Sequence, residues 1–90
     1  MMHHETILVG GELYVTIEAV AVCYEVEVAW LLEVHAYGLL EPTTHAGESL
    51  AVAVETLDRV ARILQLHRQF GIDLAGIAHI LGEIDRRGAR

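Results

Sequence analysis

Apolar and polar positions change their spacing several times along the chain, and each change marks an element. Thr6 to Val9 and Leu13 to Val15 are short β-prone runs separated by Gly10-Gly11-Glu12. Two glycines allow positive φ at a tight turn, so this stretch predicts a β-hairpin. It does not predict a phosphate-cradling loop, because no lysine follows and the glycine spacing of such loops is missing.

From Thr16 the spacing becomes helical. Thr16 reads as an N-cap, and Ile17, Val20 and Ala21 fall at i, i+3 and i+4 over a short helix reaching about Cys23. Tyr24-Glu25-Val26 forms a brief turn before a second helix from about Glu27 to Tyr37, in which Val28, Leu31, Val34 and Tyr37 make a buried stripe. Gly38 ends that helix as a residue able to turn left-handed, and Pro42 follows where no helix could continue. Thr43 to Val54 contains Gly47 and Ser49 and then alternates Leu50, Val52 and Val54, which predicts a loop with a short strand, or a wing. A strongly periodic helix follows from about Glu55, with Leu57, Val60, Ala61 and Leu64 on one face, and Ile63, Leu66 and Phe70 extending it to Gly71. Asp73 is a natural N-cap for a last helix whose apolar face is Leu74, Ile77, Ile80, Leu81 and Ile84.

Ninety residues with 53% hydrophobic side chains and a single proline suit one folded domain over residues 1–90, with no internal repeat and no linker. Glutamates interrupt the apolar N-terminal half too often for a membrane span, and Met1-Met2-His3-His4-Glu5 lacks the basic start of a secretory signal. Cys23 is the single cysteine, so no internal disulfide is expected, in keeping with a cytoplasmic location. Its place on the apolar first helix predicts a packed thiol.

Charge changes the picture most. The formal net charge is −7, lysine is absent, and every arginine (Arg59, Arg62, Arg68, Arg86, Arg87, Arg90) lies in the second half. From Met1 to Val54 all formal charges are acidic, so this half repels a nucleic-acid duplex and suits a basic partner.

Two short helices joined by a tight turn and closed by Gly38-Leu39-Leu40-Glu41-Pro42 resemble the N-terminal half of a MerR-type helix-turn-helix. The stretch Leu64-Gln65-Leu66-His67-Arg68-Gln69-Phe70-Gly71-Ile72-Asp73-Leu74-Ala75-Gly76-Ile77 resembles the part that completes it. The resemblance covers Tyr14 to about Asp85 and implies a mainly α, MerR-like winged helix-turn-helix with a small β-hairpin or wing. DNA-binding members carry arginines on the recognition helix and an arginine- and tyrosine-bearing wing. Here Ala29 and Leu32 stand where arginines belong, and Thr43 to Val54 has no formal positive charge.

The acidic pattern is similar to one branch of that superfamily, the chaperone-modulator CbpM family. Thr16-Ile17, the acidic second helix, the phrase from Gly38 to Pro42, Leu66 through Asp73 and Gly76-Ile77-Ala78 carry the likeness. It implies a protein that binds the J-domain of a CbpA/DnaJ-type co-chaperone and inhibits its stimulation of DnaK (Hsp70). The alternative is a MerR-type DNA-binding transcriptional regulator. A homodimer is left open, because the long C-terminal coiled-coil helix that joins MerR protomers has no counterpart before Arg90.

If Val28, Leu31 and Val34 face the core, Glu27, Trp30 and Glu33 share a neighbouring face at i, i+3 and i+6. A tryptophan among carboxylates makes a hot spot for a basic partner, and a core tryptophan is an equally weighted reading. Glu12, Glu18, Glu25 and Glu41 each read as solvated surface and together as an extension of the partner footprint, with Glu25 and Glu41 taken as part of the expected binding face. Arg59, Arg62 and Arg68 are expected to pair with nearby acids such as Glu55 and Asp58. Six histidines lack the His-x-x-x-His spacing, His3 and His4 read as a frayed terminus, and no metal or cofactor is expected. Without a nucleophile elbow, a phosphate loop or a carboxylate pair poised to differ in pKa, no enzymatic activity is expected either.

Overall fold

A computed structural model describes residues 6–88, with side chains described through residue 83. The His3 and His4 reading and the inward placing of Ile84 lie outside those limits. Strands β1 (Thr6–Val9) and β2 (Glu12–Thr16) pair antiparallel, with Val9 opposite Glu12. The loop between them is therefore Gly10-Gly11, both at positive φ (57° and 83°), as a type I′ turn requires.

Thr16 closes β2 and caps the next element. Its hydroxyl accepts from the Ala19 amide (3.3 Å) at the head of α1, Ile17–Tyr24. The first helix ends at Glu25, and α2 follows over Val28–Ala36 with Glu27 before it and Tyr37 after it. Gly38 takes the expected left-handed turn at φ 74. Beyond it come β3 (Thr43–Ala46), β4 (Ser49–Ala53) and a single 3₁₀ turn (Val54–Thr56). The chain ends in α3 (Leu57–Phe70) and α4 (Leu74–Gly88). Gly71, at φ 66, separates the last two, and the Asp73 carboxylate accepts from the Gly76 amide at 2.9 Å, the cap its position predicted.

A mainly α body with a small separate hairpin or wing is not what forms. The two hairpins join through β2 and β4 into one antiparallel sheet of order β1-β2-β4-β3, set against four helices. Tyr14 lies opposite Ala53, Val15 opposite Val52 and Thr16 opposite Ala51. Burial explains the joining. Val15 and Val52 enter the main core with the helices, while Ala51 and Ala53 are fully buried beside Tyr14 in a second, smaller cluster. Separating the hairpins exposes both sets at about 25 cal/mol for each Å² of apolar surface.

Helical faces differ from the periodic reading at four places. Leu31 and Val34 are sealed in the core, but Tyr37 leaves the helix as its C-cap and is exposed. On α3 the buried set is Val60, Ile63 and Leu64, leaving Ala61 in solvent and Phe70 exposed at the last turn. Cys23 is exposed on α1 rather than packed, because the buried face there is Ile17, Val20 and Ala21.

Candidate functional site

The turn between α1 and α2 and the outward face of α2 meet the C-terminal half of α3. Leu31 and Val34 fix how α2 is rotated by facing the core, and that rotation carries Glu27, Trp30 and Glu33 to a face flanking it. Trp30 settles midway between its two readings. It packs against the core cluster while remaining half-buried, and its ring meets that of His67 at 5.8 Å between centroids with a tilt of 39°. His67 is held in turn, its Nδ1–H donating to the Ile72 carbonyl at 3.0 Å. This bond places the proton of the neutral ring on Nδ1 and leaves Nε2 as its acceptor.

The Trp30–His67 pair stands between two clefts. One, of about 550 Å³, is walled by Glu25, Val26, Glu27, Leu64 and Arg68. The other, of about 370 Å³, is walled by Glu33, Ala36, Tyr37, Asp73 and Leu74. Four carboxylates (Glu25, Glu27, Glu33, Asp73) thus surround the aromatic pair against one guanidinium. Arg68 does not pair with Glu55 or Asp58. Its guanidinium crosses to α1 and donates to the Glu25 carbonyl at 3.5 Å, at the long end of hydrogen-bond reach.

Of the residues singled out from the sequence, Glu25, Glu27, Trp30 and Glu33 come together here. Glu41 does not. It lies exposed before Pro42, lines neither cleft, and contributes its backbone carbonyl to the Thr56 hydroxyl at 3.3 Å. A third cleft of about 340 Å³, walled by Glu18, Leu32, His35, His45 and Glu48 among others, holds none of the five. Sequence reasoning missed His67, Arg68, Tyr37 and Asp73. The one available signal was that His67 and Arg68 fall in the last turn of an amphipathic helix, which says nothing of what that turn crosses.

The geometry suits binding by shape and charge. An aromatic ridge with two acidic flanks offers apolar area at its centre and attraction at its rim. Comparison with known proteins gives a family. The model of the MerR HTH family regulatory proteins matches residues 15–88, which spans β2 through α4. No curated protein and no solved structure matches the chain.

Proposed function

Because the chain belongs to the MerR helix-turn-helix family of regulatory proteins, we propose that its helix-turn-helix regulates by binding a protein rather than DNA. The partner is the J-domain of a CbpA/DnaJ-type co-chaperone, and binding blocks the stimulation of DnaK (Hsp70). One observation carries this reading: the outward face of α2 offers Glu27, Trp30 and Glu33 beside His67, and α2 carries no lysine or arginine. A helix laid in a DNA groove needs cations to neutralise phosphate, and this one adds repulsion instead. J-domains engage Hsp70 through a basic helix, which is the complement of this surface. The role is binding without catalysis or cofactor.

The test is the ATPase of Hsp70 in the presence of its J-domain co-chaperone. Added in increasing amounts, the chain is expected to return the stimulated rate to the basal rate, and an undiminished stimulated rate overturns the reading.

A second reading has family membership and the arginines of α3 in its favour: a transcriptional regulator contacting phosphate through Arg59 and Arg62. A gel shift at low salt separates the two, since phosphate-driven binding appears there and fades steeply as salt rises.

A further inference from the structure

Glu25 occupies a position that ordinarily belongs to glycine. It closes α1 in the left-handed region (φ 57, ψ 49), where a side chain crowds its own backbone. Among the described residues every other positive φ is taken by glycine: Gly10, Gly11, Gly38, Gly47 and Gly71. The backbone conformation alone does not call for a glutamate here.

The Glu25 carboxylate stands at the larger cleft with Glu27, Trp30, Leu64 and Arg68. The Arg68 guanidinium is turned toward the Glu25 backbone carbonyl, 3.5 Å away, rather than paired with either carboxylate. The Glu25 and Glu27 carboxylates take part in no hydrogen bond or ion pair among the described residues. The cleft thus joins an indole wall, an aliphatic wall and two acceptors that the fold leaves unused.

Resting on the reading of this face as a protein-binding surface, we propose that the cleft is the subsite for a single arginine or lysine side chain of the partner. Its aliphatic stem lies along Trp30 and Leu64, and its cation is held between Glu25 and Glu27. An acidic or neutral side chain gains nothing here, so the cleft selects the register in which a basic helix docks.

Trp30 is the single tryptophan of the chain, so its fluorescence reports on the two clefts it lines, and the Glu25 variants tell which of them responds. The probe is an alanine-based helical peptide carrying arginines on one face, with a glutamine-for-arginine peptide as control. The arginine peptide is expected to shift the Trp30 emission saturably, and the control to leave it unchanged. Glu25→Gln and Glu25→Gly are each expected to weaken the arginine peptide and the J-domain about tenfold. Glu25→Gly is also expected to keep or raise the melting temperature, because it relieves the left-handed strain, and Glu25→Gln guards against added backbone freedom as the cause of weaker binding. Wild-type affinity for the J-domain in both variants overturns the subsite while leaving the proposed function intact. A Trp30 response to the arginine peptide with no J-domain binding overturns the function and keeps the subsite. Equal responses to both peptides overturn the cation specificity.

Discussion

Helices α2 and α3 bury branched aliphatic side chains in one core, yet they show solvent opposite chemistry. From α2 come Leu31 and Val34 inward, with Trp30 at the edge of that face and Glu33 exposed. From α3 come Val60, Ile63 and Leu64 inward, with Arg62, His67 and Arg68 outward. The inward halves make the family fold, and the outward halves decide what it can bind. On the exposed face of α2 the formal charge is negative, and among the residues with described side chains the arginines sit on α3, one of them donating to the carbonyl that closes the first helix.

The shared core is the part of the comparison with the largest stake. Leu31→Ala and Ile63→Ala each remove a side chain with 0% exposure, and each is expected to lower stability by about 2–5 kcal/mol. Urea denaturation followed by circular dichroism measures both. A loss below about 1 kcal/mol for either one breaks the claim that the two helices rest on a common core.

The outward faces come next. Trp30→Ala is expected to weaken J-domain binding about tenfold or more, roughly 1.4 kcal/mol, with a stability loss smaller than that of Leu31→Ala because the ring is half-buried. Unfolding as severe as that of Leu31→Ala moves Trp30 into the core and removes it from the binding face. Charge reversal sharpens the contrast between the helices. Glu33→Lys should slow J-domain association several-fold in a surface-resonance or stopped-flow measurement, whereas Arg62→Glu on α3 should change it by less than about twofold. An equal loss from Arg62→Glu shows that the binding face includes the arginines and that α2 is not its centre.

The smallest effect is that of salt. Between about 50 and 500 mM the association rate should fall as the Debye length shrinks from above 10 Å to a few Å, while the dissociation rate changes little. Salt-independent association removes the steering role given to Glu27, Glu33 and Asp73.

Much of this could be read from the sequence where the cause is local. The Gly10-Gly11 turn, the Thr16 and Asp73 caps, and the glycines that end α2 and α3 depend on backbone conformation and neighbouring hydroxyl or carboxylate groups, all visible in a few residues. The i, i+3, i+6 placing of Glu27, Trp30 and Glu33 was legible for the same reason. The sheet was not. Its central pairing sets Tyr14 against Ala53, and two alanines give no strand signal of their own, because their burial comes from residues far along the chain. The far wall of the site was hidden likewise: His67 meets Trp30, Arg68 meets Glu25 and Asp73 lines a cleft with Trp30 only because the end of α3 folds back beside the α1–α2 turn. Periodicity also misjudged helix ends, where Tyr37 and Phe70 continue the apolar spacing after the core has stopped.

One measurement bears on the central claim more directly than the rest: isothermal titration of the chain with a purified J-domain, run in parallel with Trp30→Ala. The account requires saturable binding by the wild-type chain at micromolar or tighter affinity, and binding weaker by about tenfold in the variant. Absence of heat at about 50 µM J-domain, together with a low-salt gel shift on duplex DNA, contradicts it and returns the second helix to the groove.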